Sequence, residues 1–124
     1  MSSSTTLVGN LTRDPELKFV GNQGVAVAKF AIAVNRRVKK GTEYEDKTSY
    51  FDVTAFGSLA ENVANSLRKG VRVIVSGRVE QETWESEGQK RSKVVVQADS
   101  VGPDLRFANV SVSRGEGKAA VEEW

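Results

Sequence analysis

The segment "SLAENVANSLRKG", residues 58–70, is the one stretch of this chain that reads as a helix, and what lies on either side of it reads as strand. Ser58 followed three residues later by Glu61 forms a capping box, and Leu59, Val63 and Leu67 make an i, i+4, i+8 stripe. Arg68 and Lys69 suit the negative end of the helix dipole, and Gly70 suits the C′ position. A helix over 59–69 is expected.

Before it, "TTLVGNL" is a short first strand ending at Gly9 and Asn10, and Asp14-Pro15 marks a turn. "GNQG" at 21–24 is another turn. "VAVAKFAIAV" then alternates, with Ala28, Phe30, Ile32 and Val34 on one face and Val27, Lys29, Ala31 and Ala33 on the other, a small-sided face that could lie open. Residues 35–47 read as a charged loop around Gly41, leading into a third strand at 48–56. After the helix, "VRVIVSGRVEQETW" is a fourth strand in which Gly77 permits a bulge. "ETWESEGQKRSK" reads as a polar hairpin loop and "VVVQADSV" as a fifth strand. One short helix between the third and fourth of five strands is the layout of the OB-fold, an all-β Greek-key barrel with the helix plugging one end. Residues 1–113 are assigned to this barrel and a C-terminal strand extension, and 114–124 to a short polar tail.

At 124 residues, 39% of them hydrophobic, the chain fits one domain. It has no Cys and no His, which closes the commonest metal sites, general bases and thiol nucleophiles. The carboxylates are scattered through loops, so a metal-dependent nuclease finds no cluster to hold its ion. No catalytic residue, metal or cofactor is assigned. The start "MSSSTTLVGN" has neither a basic n-region nor an apolar core, and no run of 18 apolar residues follows, which points away from secretion and the membrane and toward the cytoplasm.

OB-folds bind oligonucleotides or oligosaccharides across strands 2 and 3 and their flanking loops. On strand 3, Phe51, Val53 and Ala55 alternate with Tyr50, Asp52, Thr54 and Phe56, so two rings share the face opposite the core at about 20 Å separation. Trp84, among polar residues in the loop joining strands 4 and 5, is a third candidate platform. These rings could instead cover a subunit interface or the barrel rim. Net charge is only +2, from 18 Lys and Arg against 16 Asp and Glu, so local clustering matters more than the total. The phosphate candidates are Lys29, Arg36, Arg37, Lys39, Lys40, Lys69, Arg72, Arg78, Lys90 and Arg91, with Arg36, Arg37 and Arg91 preferred for their loop positions.

"LVGNLTRDPELKF" and "FGSLAENVANSLRKGVRVIVSGRV", with a Trp seven residues after Gly77, resemble the bacterial single-stranded DNA-binding protein family over residues 5–110. The resemblance implies base stacking by Tyr50, Phe56 and Trp84, sequence-independent binding of single-stranded DNA without catalysis, and a homotetramer around which the DNA wraps. It implies work in replication, repair, recombination or DNA uptake. "GPDLRFANVSV" at 102–112 is similar to an extension that clasps subunits in actinobacterial members. Three departures stand beside it. A stacking Trp of many members falls near Val38, and Trp84 is flanked by Glu80, Glu82, Glu85 and Glu87. The ending "GEGKAAVEEW" lacks a long Gly- and Pro-rich linker to an acidic tip, which puts enzyme recruitment in doubt and fits a short paralogue or a trimmed form. The rival expectation is an oligomeric OB-fold interaction module with little nucleic-acid binding.

Overall fold

A computed structural model describes residues 3–114. Its elements are β1 (Ser4–Leu11), β2 (Glu16–Val20), β3 (Val25–Lys40), β4 (Glu43–Phe56), α1 (Ser58–Ser66), β5 (Arg72–Ser86) and β6 (Gln89–Pro103). The strands run β1-β5-β6-β4-β3-β2 across the sheet, and β1 also meets β3 at Asn10↔Ala33 and Leu11↔Ile32, which closes the ring. The β4–β6 pair is parallel and the others antiparallel. The expected OB barrel is therefore present, with one difference in strand count. Residues 16–20, beyond Pro15, pair with 25–29 of β3, so β1 and β2 together occupy the place of one broken first strand. Proline lacks an N–H and fixes φ, which is enough to interrupt pairing there without ending it.

The core is the inward face of this ring. Ala28, Phe30 and Ile32 of β3 pack with Val53 and Ala55 of β4, Val73 and Val75 of β5, and Val96 and Ala98 of β6. Ala60 and Val63 of α1 and the following Leu67 close one side of that cluster, with Leu59 only partly buried against it. Gly77 bulges as expected, with the register shifting between Ser76 and Gly77. A Cβ at Gly77 would collide with the carbonyl oxygen of Gln97.

The capping box does not form, and α1 is shorter than expected. Gly57 is the N-cap, at φ 69°, and no side chain caps the helix. The chain turns sharply out of β4 there, a left-handed conformation that favours glycine, while the Gly57 N–H donates to the Ala26 carbonyl at 2.8 Å. Ser58 is thereby displaced into the first helical turn. At the other end Leu67 is already extended, and the Gly70 N–H donates to the Leu11 carbonyl at 2.8 Å, so this glycine ties the loop to β1 instead of ending the helix. Arg68 does serve the negative end: its guanidinium donates to the carbonyls of Ala64 and Leu67.

The two loops expected at 35–47 and 82–93 are mostly strand. β3 and β4 stay paired out to Lys40↔Glu43, with Gly41 at the tip, and β5 and β6 out to Ser86↔Gln89, turning through Glu87 and Gly88. Both residues of that second turn have positive φ, the type I′ geometry that matches the twist of a hairpin. Each ribbon carries charge on both faces, so the apolar alternation that announces a half-buried strand is missing. Past β6, Asp104 anchors the extension. Its backbone N–H donates to the Arg72 carbonyl at 2.9 Å, and its carboxylate accepts from Arg72 Nε at 2.8 Å and from the Arg106 N–H at 3.0 Å. The polar tail expected at 114–124 lies outside the described residues from 115 on, and with it the question of recruitment.

Candidate nucleic-acid interface

The register carries one continuous face around the outside of the barrel. On β4, Tyr50, Asp52, Thr54 and Phe56 point away from the core, opposite Ala33, Ala31, Lys29 and Val27 of β3. Through Asp52↔Val95 and Thr54↔Gln97 the same face passes to β6, and through Gln97↔Arg78, Val95↔Glu80, Lys93↔Glu82 and Arg91↔Trp84 to β5. Tyr50 is 70% exposed, Phe56 45% and Trp84 43%. All three rings are thus brought onto one surface, Trp84 on a strand and not in a loop. Between them the floor is made of small or covered residues, Val27, Ala31, Thr54 and Val95. Rings rising from a low floor present flat apolar area to solvent, which folding alone does not reward.

The cations divide into engaged and unengaged sets. Arg37 pairs with Asp46 at 3.4 Å, Lys40 with Glu45 at 3.6 Å, Arg78 with Asp99 at 3.2 Å, and Arg72 with Asp104 at 2.8 Å. Arg72 and Arg106 also lie over the ring of Phe107. The Arg72 hydrogen bond, followed by that from the Arg106 backbone, lowers the Asp104 pKa below its usual 3.8. Arg72 is therefore built into the extension's anchor. Among the described residues no ion pair engages Lys29, Arg36, Lys39, Lys69, Lys90 or Arg91. Lys69 sits in the turn after α1, its N–H donating to Asp14 Oδ1 at 2.8 Å. Arg36 faces Lys47 directly across the ribbon, two like charges that neutralise nothing in one another.

Sequence reasoning missed two residues on this face and one on its reverse. Lys93 pairs with Asp52 at 3.5 Å, neutralising the carboxylate that sits between Tyr50 and Phe56. Lys47 adds to Arg36 on the reverse of the β3–β4 ribbon, whereas Tyr44 falls on the Tyr50 side of β4. The even spacing of 44, 50 and 56 was visible in the sequence, but only once residues 43–47 are known to be strand. A separate groove of about 790 Å³ lies under the extension, lined by Leu59, Val63, Leu67, Val101, Phe107 and Val110 among others and by none of the three rings. Among the described residues no helix is long and apolar enough to cross a membrane.

A closed barrel of this topology, with its helix between the third and fourth principal strands, defines an OB-fold protein. Comparison with known proteins narrows the class. The single-strand binding protein family model matches residues 2–104, and the chain belongs to that family. It is 44% identical over 116 residues to the single-stranded DNA-binding protein of Paenarthrobacter aurescens, covering 90% of this chain and 67% of that one. It is 47% identical to the protein of the same description from Corynebacterium glutamicum, of which it spans 51%. In three dimensions it is similar to the small single-stranded DNA-binding protein from Streptomyces coelicolor, with a TM-score of 0.70 and 31% identity, covering 85% of this chain and 96% of that one. The resemblance of residues 7–19 and 56–79 to the bacterial single-stranded DNA-binding protein family is borne out.

Proposed function

We propose that this chain binds single-stranded DNA without sequence preference and without catalysis, bases stacking on Tyr50, Phe56 and Trp84 while Lys29, Arg36, Lys39 and Arg91 hold phosphates. The observation that carries this is the exposure of Tyr50 and Phe56 on strands whose opposite face is the core, in a member of the single-strand binding protein family. Every base has a flat face, so stacking tolerates any sequence, and unengaged cations draw the backbone. A homotetramer, a cytoplasmic setting and work in replication, repair, recombination or DNA uptake belong to the same proposal through the family.

Stacking contributes about 1–3 kcal/mol per base, so Tyr50→Ala with Phe56→Ala is expected to weaken oligo(dT) binding more than tenfold in a titration. Wild-type affinity in that double variant, with its circular dichroism unchanged, contradicts the assignment. Glu80 and Glu82, on the same face as Trp84, favour a second reading as an interaction module, because carboxylates there repel phosphate. Tryptophan quenching by oligo(dT) that disappears in Trp84→Phe supports the first reading; no quenching and no binding supports the second.

A further inference from the structure

We propose that Tyr44 is an additional base-stacking platform, carried out on the β3–β4 ribbon and braced by Arg37. The inference rests on the reading of the outer face as a site for single-stranded DNA. Tyr44, Tyr50 and Phe56 lie at intervals of six residues along β4, so an extended strand sets them on one face about 20 Å apart. Tyr44 is 61% exposed, near the tip of a two-stranded ribbon that contributes nothing to the core cluster. Its apolar area is thus not explained by burial.

The surroundings of the ring fit a base. Arg37 places its guanidinium carbon 5.6 Å from the Tyr44 ring centroid and is held there by Asp46 at 3.4 Å, which also cancels its charge. A guanidinium over one side of the ring fixes its orientation before a base arrives, so little side-chain freedom remains to be lost on stacking. Lys39 lies directly opposite Tyr44 on the partner strand and, among the described residues, makes no ion pair, which leaves an ammonium for the adjoining phosphate. Ring, brace and cation together supply on the ribbon what Val38, half-buried on its other face, cannot.

Because this platform lies about 20 Å beyond Tyr50, only a strand long enough to leave the barrel reaches it. The test is oligo(dT) binding by wild type, Tyr44→Ala and Tyr44→Phe, with one oligonucleotide near the lower and one beyond the upper end of the about 4–16 nucleotides an OB-fold covers. Tyr44→Ala is expected to weaken the long oligonucleotide about 5- to 150-fold and leave the short one unchanged, while Tyr44→Phe keeps wild-type affinity for both. Photocrosslinking of a 5-iododeoxyuridine oligonucleotide is expected to label the peptide containing Tyr44. Wild-type affinity of Tyr44→Ala for the long strand overturns the inference, as does equal weakening on both lengths, which marks a folding role. Absence of binding by wild type overturns the broader functional reading with it, whereas loss in Tyr50→Ala/Phe56→Ala without loss in Tyr44→Ala overturns this one alone.

Discussion

Asp52 is the residue that most threatens a phosphate-binding face, standing next to Tyr50 on the way to Phe56, and its ion pair with Lys93 removes most of that threat. Exposed pairs of this kind add little to stability, so the value of Lys93 lies in the field it leaves behind. A second residue-scale constraint lies at the barrel's seam. A Cβ on Gly9 would sit 2.5 Å from the carbonyl oxygen of Ala33, where β1 and β3 cross. Gly9→Ala forces backbone apart in a packed region, which costs about 1–3 kcal/mol. For a chain of 124 residues that corresponds to a fall in Tm of roughly 3–6 °C per kcal/mol. A calorimetric Tm equal to wild type means the seam yields freely, contrary to that expectation. Gly9 could be read in sequence as the end of a strand, but not as a crossing, because the oxygen it must admit comes from residue 33.

At the scale of elements, the core strands and the bulge at Gly77 were legible because alternation and a lone glycine report directly on a half-buried sheet. The helix was legible as an element but not at its ends. Local pattern favours Ser58 as the cap, whereas the exit from β4 requires the conformational freedom of Gly57, and the tertiary demand prevails. The ribbons were illegible for a different reason: with solvent on both sides, ladder hydrogen bonds and exposed cross-strand pairs such as Arg37–Asp46 hold them extended, and neither leaves a trace in hydropathy. The extension offers a pH test. Asp104 has its pKa held down first by the Arg72 hydrogen bond. A lowered pKa contributes stability above the unfolded value and loses it as pH falls through the folded one. The anchor is therefore expected to stay intact through neutral and mildly acidic conditions and to release only below pH 3.8. An NMR titration of the Asp104 carboxyl carbon checks this, with Arg72→Gln expected to move the midpoint back up; a wild-type midpoint at or above the ordinary value rules out the anchoring role.

For the whole molecule, binding by scattered cations makes affinity a function of salt. Each phosphate contact to a single strand contributes about −0.7 to the slope of log Kobs against log salt, so contacts by Lys29, Arg36, Lys39 and Arg91 give about −3. Arg36→Ala is expected to flatten the slope by about 0.7 while weakening all sequences alike, and a slope indifferent to that change removes Arg36 from the site. Closure of the ring by two residue pairs, Asn10↔Ala33 and Leu11↔Ile32, keeps the core independent of what the ribbons do. Side chains on a ribbon alternate between its surfaces, so a trim of two residues from each arm shortens the reach while every remaining ring keeps its orientation. A trim of one from each arm turns the surviving tip inside out. Reach in this molecule can thus be graded in paired steps without touching the packed interior, and related chains that differ in footprint should differ there by even increments.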